Sequence, residues 1–455
     1  MTFDFNNVLV FGTGISGIAA VGLLKATKTN IILYDSNANV DIDKIKEKLG
    51  DNFSGQVILG ELSDDIIKRI DLVVLSPGVP IDHDIVNTFR NLSVPIWGEV
   101  ELAYFFEKGK VIAITGTNGK TTTTALVGEI FRSYYEKVFV VGNIGIPYTG
   151  STLGTSEDSV TIAEISSFQL ETTHKFRPRV SAILNLTPDH LDRHYTMENY
   201  SKVKMNITKN QLEDDICVIN YDDNLLVDLS KDIKCKKFYF SSSKVLDTGI
   251  YLDKDNIIYS SSNQKEIVCN VSELKILGKH NYENVMAAVL MSIAANIPME
   301  NIRRVIKDFK GVEHRIEYVA TKNNVKYYND SKGTNPEASI KAIESMQSPT
   351  LLIAGGFDKG SSYDEWIKAF KGKVKYLVLL GQTKDKIAQA ARDNGFTNII
   401  IVDTLEEAVE ACALNAEAFD SVLLSPACAS WGMFKDYEER GNLFKEYVSK
   451  LWFHR

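Results

Sequence analysis

VIAITGTNGKTTTTALV, residues 111–127, is the stretch from which the rest of the chain can be read. Its first five residues form the apolar, β-branched run of a buried strand, two glycines follow within a short polar turn, and a helix-like run opens at Lys120. A strand passing through a glycine loop into a helix is the unit from which parallel α/β sheets are assembled. Gly116 and Gly119 free the backbone to wrap phosphate oxygens, Lys120 can reach terminal phosphates, and Thr121 can place a hydroxyl on Mg²⁺. The spacing is a compact G-T-N-G-K-T, because Ile114 stands where the general phosphate loop has its first glycine. A Gly-Asn-Gly turn entering a helix could also serve structure alone.

A second glycine turn lies upstream. In NNVLVFGTGISGIAAVGLL, residues 6–24, Gly12, Gly14 and Gly17 have G-x-G-x-x-G spacing between a strand and a helix, and Asp35 ends the next apolar run, NIILYD. Alone, that turn reads as a dinucleotide site and the chain as a dehydrogenase, or as glycines needed only for close strand–helix packing. Downstream, AEISSFQLE supplies Glu164 at a strand end and NLTPDHLDRH supplies His190 after the next strand. A carboxylate and an imidazole converging beside a phosphate loop fit Mg²⁺ and phosphoryl chemistry.

Apolar runs and helix-like segments alternate from end to end, and 455 residues exceed what one hydrophobic core holds. The expected fold class is α/β with three domains: a Rossmann-like N-terminal domain over 1–100, a central P-loop ATPase-type domain with a parallel sheet over 101–312, and a Rossmann-like C-terminal domain over 313–455. The last boundary falls in FKGVEHRIEYV, beyond which strands such as PTLLIAGG, VKYLVLLG and DSVLLSPA begin a new alternation. A net charge of −8, from 51 basic and 59 acidic residues, supplies no field for nucleic acid or an anionic membrane, so an anionic substrate needs local cations. The five cysteines have no C-x-x-C pairing and read as buried thiols. Neither a signal peptide nor a membrane span is expected, and the cytoplasm is the expected location.

GTNGKTTT, EISSFQLE, NLTPDHLDRH, GKHNYENVMAA and EHRIE, in this order, resemble the Mur ligase family, the ATP-dependent amide ligases of peptidoglycan precursor synthesis. YYNDSKGTNPEAS and LLSPACASWGMF narrow the resemblance to the branch that adds D-glutamate. The resemblance implies that UDP-N-acetylmuramoyl-L-alanine, ATP and D-glutamate are the substrates. It puts Gly14, Ile15 and Ser16 at the UDP phosphates, Asp35 and Ser36 near the uracil, and Gly78, Asn143, Ser166, Gln169 and His190 along the sugar substrate. Asn37 stands where some relatives carry a basic residue. ATP would be held by Gly116, Thr117, Asn118, Gly119, Lys120, Thr121 and Thr122, with Asn281, Asn284, His314, Arg315, Asp330 and Lys332 at adenine, ribose and phosphates. Arg315, at a domain junction, could clamp the γ-phosphate.

The same resemblance implies two Mg²⁺ ions, held by Thr121, Glu164, His190 and a carbamylated lysine. An ammonium cannot coordinate a cation, whereas the CO₂ adduct of an amine is an anionic oxygen ligand. The family pattern in ENYSKVKMNI selects Lys204 rather than Lys202. For D-glutamate it selects Thr334, Lys359 and Ser430, with the backbone near Tyr437. The groups expected to carry the chemistry are Lys120, Glu164, His190, Lys204 and Arg315, and a monomer is the expected assembly. Competing readings are a sister ligase with another amino-acid acceptor, a nicotinamide-dependent dehydrogenase, and a non-catalytic nucleotide-binding regulator.

Overall fold

The alternating strands and helices gather into three sheets in the computed structural model, which describes residues 3–143, 145–262 and 264–451. The first sheet holds β1 (Asn7–Phe11), β2 (Asn30–Asp35), β3 (Gln56–Leu59), β4 (Leu72–Leu75) and β5 (Ile96–Gly98). Its order is β3-β2-β1-β4-β5, and every pairing is parallel. Val8 and Val10 of β1 enter one apolar layer, Leu9 and Phe11 the other. Both faces are therefore covered, as an all-parallel sheet requires. Strand order reverses between β1 and β4, which opens a crevice at their carboxyl ends.

The second sheet holds β6 (Lys110–Thr115), β7 (Val138–Gly142), β8 (Val160–Glu164), β9 (Val180–Ile183), β10 (Ile216–Asn220), β11 (Lys236–Ser241), β12 (Gly249–Asp253), β13 (Asn256–Ser261) and β14 (Gln264–Asn270). Its order is β14-β13-β12-β11-β10-β9-β6-β8-β7. β6 lies parallel between β8 and β9, with Ile114 opposite Glu164 and Thr115 opposite Ile183. β12 and β14 escaped the sequence reading, since a short strand carrying charged residues on an extension lacks the apolar run that marked the others.

The third sheet holds β15 (Glu317–Lys322), β16 (Val325–Asn329), β17 (Thr350–Ala354), β18 (Val374–Leu379), β19 (Ile399–Ile401) and β20 (Ser421–Leu424), in the order β15-β16-β20-β17-β18-β19. β15 is antiparallel and the rest are parallel. Insertion of β20 between β16 and β17 brings the loops after these three strands together. The chain divides into two compact units, Met1–Cys269 with Glu283–Val305, and Asn270–Tyr282 with Ile306–Arg455. All five cysteines are free and buried. No helix among the described residues is long and apolar enough to cross a membrane.

Candidate functional site

The first glycine turn opens on the crevice between β1 and β4. Each glycine has its own reason. A Cβ at Gly17 would stand 1.8 Å from the Gly12 carbonyl oxygen, so helix Ile15–Leu24 packs on β1 only if that position is bare. A Cβ at Gly14 or Gly78 would meet nothing within 4 Å. Packing therefore does not explain those two, which stand beside open space. The cleft has a volume of about 540 Å³. Gly14, Ile15, Ser16, Asp35 and Ser36 line it from the first sheet, joined by Gly78 of the loop after β4. Asn143 and Gln169 reach it from the second sheet's loops. Asp35 uses its carboxylate to hold the turn, accepting from Thr13 N at 3.2 Å and Thr13 Oγ1 at 2.7 Å. Ser166 sits behind Gln169 in a capping box, with its N–H donating to Gln169 Oε1 at 2.9 Å.

The second glycine turn leads from β6 into helix Lys120–Arg132. Gly119 has φ +84°, and a Cβ there would stand 2.2 Å from Asn284 Oδ1, so Asn284 abuts the loop. Asn284 Oδ1 also accepts from Thr123 Oγ1 at 3.3 Å. The loop is tied to the segment after β9: Asn118 N donates to Asn185 Oδ1 at 2.8 Å, and Thr117 Oγ1 lies 3.0 Å from Tyr200 Oη. Lys120 Nζ donates to the carbonyls of Gly116 and Thr117 at 2.9 and 2.8 Å. Thr121 is half-buried and Thr122 buried in the first turn of the helix.

Lys204, near the end of helix Met197–Met205, donates to that same Gly116 carbonyl at 2.8 Å and is 2 % exposed. Burial, with the like charge of Lys120 beside it, draws its ammonium down to about 7, against the opposing pull of Asp189 and Glu164. Lys202 instead pairs with Glu198 at the surface. Glu164 is buried; its Oε1 accepts from Asn143 Nδ2 at 3.0 Å, and its Oε2 has no hydrogen-bond partner among the described residues. A buried, unpartnered carboxylate oxygen costs stability unless a donor or cation arrives.

His190 is placed differently from Glu164. It is exposed, with φ +51°, its ring packs against Phe168 at 4.8 Å, and Nε2 lies 3.4 Å from Asp189 Oδ2. No group of three His, Cys, Asp or Glu able to hold a metal exists among the described residues. Mg²⁺ fits such a place, because it is commonly bound through one or two carboxylates and completed by substrate phosphates. The sequence reading missed Asp189, whose only linear signal is its place beside His190 in NLTPDH. It also missed Arg193, which donates to the Val79 carbonyl at 3.0 Å and Glu171 Oε2 at 2.5 Å, fastening the loop after β4 to the second sheet's loops.

In the second unit the loops after β16, β17 and β20 interlock. Ala427 N donates to the Gly333 carbonyl at 3.0 Å, and Phe357 N to the Ala429 carbonyl at 2.9 Å. Buried Asp330 accepts from Ser425 Oγ at 2.7 Å and Ile316 N at 3.3 Å; burial raises its carboxyl to about 7. Lys332 N donates to the His314 carbonyl at 3.0 Å, and Lys332 Nζ lies 5.4 Å from the centre of the Tyr437 ring. His314 is buried, with Nδ1 3.0 Å from Asn329 Nδ2, and burial lowers its pKa. Arg315 is exposed, and its charge acts on Asp330. Thr334 N donates to the Lys332 carbonyl at 2.9 Å, Ser430 is buried, and Lys359 Nζ lies 5.0 Å from the centre of the Trp431 ring. Asn281 is buried, with Nδ2 donating to the Leu277 carbonyl at 2.7 Å. Arg440, absent from the sequence reading, is 2 % exposed and donates to Ser331 Oγ, the Ser331 carbonyl and the Cys428 carbonyl at 3.0, 2.8 and 3.2 Å. No motif announces it; burial alone marks it.

Comparisons with known proteins agree with one another. Residues 6–98 match the Mur ligase MurD-like N-terminal domain, 114–292 the Mur ligase middle domain, and 314–428 the glutamate ligase domain of Mur ligases. A relative from Lachnoclostridium phytofermentans, named UDP-N-acetylmuramoylalanine--D-glutamate ligase, is 58% identical over 99% of each chain. Among solved structures, UDP-N-acetylmuramate-alanine ligase from Thermotoga maritima covers 98% of this chain and 99% of its own at 18% identity and a TM-score of 0.56. The MurF ligase of Thermotoga maritima, solved in complex with ADP, covers 97% and 98% at 17% identity and a TM-score of 0.55. At such identities the structural likeness is one of fold.

Proposed function

The chain belongs to the Mur ligase family, and from that premise we propose that it joins D-glutamate to UDP-N-acetylmuramoyl-L-alanine, converting ATP to ADP and phosphate in peptidoglycan precursor synthesis. The observation that carries this reading is 58% identity, across 99% of both chains, to a relative bearing that ligase name. Residues 1–100 take the nucleotide sugar, 101–312 ATP and 313–455 the amino acid, and the chain acts in the cytoplasm as a monomer.

A carboxylate is a poor acyl donor because its leaving group would be oxide. Transfer of the γ-phosphoryl group of ATP onto the L-alanyl carboxylate gives an acyl phosphate; the D-glutamate amine then attacks the carbonyl carbon, phosphate leaves, and the amine gives up a proton. Two anions must meet in a protein of net charge −8, so local cations are needed. Lys120 supplies one of them as charge develops on the transferring group. The amides of the first glycine turn, at the start of a helix, would receive the UDP diphosphate.

Mg²⁺, when bound, neutralises phosphate charge and polarises the phosphoryl oxygens. Thr121 and Glu164 would hold one ion, and His190 with carbamylated Lys204 a second. The orphaned Oε2 of Glu164 supports the first assignment. For Lys204 the support is its pKa near 7: only an unprotonated amine adds to CO₂, forming an N–C bond and losing a proton. The product replaces a cation pressed against Lys120 by an anion. In the second unit, Thr334, Lys359, Ser430 and the backbone at Tyr437 would bind D-glutamate, while His314, Arg315, Asp330 and Lys332 are the proposed nucleotide contacts.

The test is phosphate release from ATP with Mg²⁺, UDP-N-acetylmuramoyl-L-alanine and one amino acid at a time. Release confined to D-glutamate is expected. Release only with another acceptor moves the chain to a sister ligase, and nicotinamide turnover without phosphate release restores the dehydrogenase reading. A ¹³C-carbamate resonance under ¹³CO₂, absent from Lys204→Ala, tests the modified lysine, and sedimentation at the mass of one chain tests the monomer.

A further inference from the structure

His83, in the loop that follows β4, lines the cleft of the first glycine turn together with Gly14, Asp35 and Gly78. Its ring is fixed from two sides. Nδ1 accepts the Ile85 backbone N–H at 3.2 Å and so caps helix Asp84–Asn91. The ring also stands edge-on to Phe11, with centroids 5.1 Å apart and planes at 88°, and Phe11 is buried at the end of β1. An imidazole nitrogen that accepts a hydrogen bond carries no proton, so the ring hydrogen of this tautomer is on Nε2. Nε2 has no hydrogen-bond partner among the described residues. The cleft thus contains an N–H donor held by a cap and a ring contact, with its own bond still to make. Nucleotide sugars present acceptor oxygens along their whole length, and a donor immobilised before binding loses little freedom on meeting one.

We infer that His83 is a binding and specificity residue for the nucleotide sugar, its Nε2–H donating to an oxygen of the bound UDP-sugar. This rests on the cleft being the UDP-sugar site, and it adds an imidazole donor to a wall that already presents the side-chain donors of Ser16, Ser36, Asn143 and Gln169. The simpler alternative is that His83 only caps its helix.

Two substitutions separate these roles, since asparagine reproduces the Nδ1 position of histidine and glutamine the Nε2 position. Calorimetric titration of full-length protein with UDP and with UDP-N-acetylmuramoyl-L-alanine, alongside thermal melts, gives the readout. His83→Asn, which keeps a cap acceptor but loses the ring contact with Phe11, is expected to melt above His83→Gln yet bind the full substrate about tenfold more weakly than the parent, the usual worth of one hydrogen bond to a charged or strongly polar group. His83→Gln is expected to melt lower yet recover affinity to within about threefold. Loss with both ligands puts the contacted oxygen on UDP, and loss with the full substrate alone puts it on the sugar. Parent-like affinity in His83→Asn, or affinity that simply follows melting temperature through both variants, overturns the inference. Failure of the parent protein to bind either ligand would instead overturn the reading of the cleft.

Discussion

Two lysine ammonium groups donate to one carbonyl oxygen, that of Gly116. Burial, with the like charge of Lys120 beside it, is why Lys204 is a poor cation and a good candidate for chemistry. Its folded pKa of about 7 lies below the ordinary 10.5. Between those values the unfolded chain binds the extra proton, so folding stability rises with pH through that window and the penalty is fully present below it. Lys204→Met, in CO₂-free buffer, is therefore expected to raise the melting temperature below neutrality, with the gain shrinking to nothing by the upper end of the window. Its turnover is expected to fall by about 10²-fold or more, the usual cost of removing one preorganised electrostatic group. Asp330 behaves oppositely. Its folded value of about 7 exceeds the ordinary 3.8, so the folded chain holds the proton and stability declines as pH rises between the two. Asp330→Asn is expected to flatten that decline, read from melting temperature against pH. Neither shift is visible in linear spacing, because burial causes both.

At the scale of elements, the G-x-G-x-x-G turn was legible as a strand, an anion-ready turn and a helix, but not as glycines with separate duties. Gly17 is required by the approach of helix Ile15–Leu24 to β1, and Gly14 is not required by any neighbour. Gly17→Ala is therefore expected to destabilise the first unit by about 1–3 kcal/mol, the range for overpacking a tight contact, measured by thermal or urea unfolding. Gly14→Ala is expected to leave unfolding nearly unchanged while raising KM for the UDP-sugar about tenfold, since its methyl would occupy the ligand's space. Equal effects of the two on stability would contradict the division of labour. His190 shows the converse limit. Its motif was plain in the sequence, yet the structure leaves it exposed against Phe168 and Asp189, whereas Glu164 and Lys204 are buried close enough together beside the loop for their charges to interact.

For the whole molecule, two glycine turns within one unit predict two independent anion-dependent stabilisations. Saturation at about one hundred times Kd adds about 2.7 kcal/mol to the folded state for each ligand. UDP-N-acetylmuramoyl-L-alanine and a non-hydrolysable ATP analogue with Mg²⁺ are each expected to raise the melting transition of the first unit, and their effects to be present together; NAD is expected to leave it unmoved. A response to NAD alone, seen by differential scanning fluorimetry, would return the first turn to a dinucleotide role.

The amino-acid sequence by itself determined the α/β class, the two glycine turns and the strand ends from which chemistry is drawn. Those features depend on short-range alternation of apolar and polar residues and on the conformational freedom of glycine. Only the tertiary structure decided which strand ends meet: β1 beside β4 opens the cleft that His83 lines, and β6 between β8 and β9 sets Glu164 near Lys204. Pairing of distant strands, and the burial that follows from it, is a property of the assembled sheet, and residue spacing along the chain does not contain it.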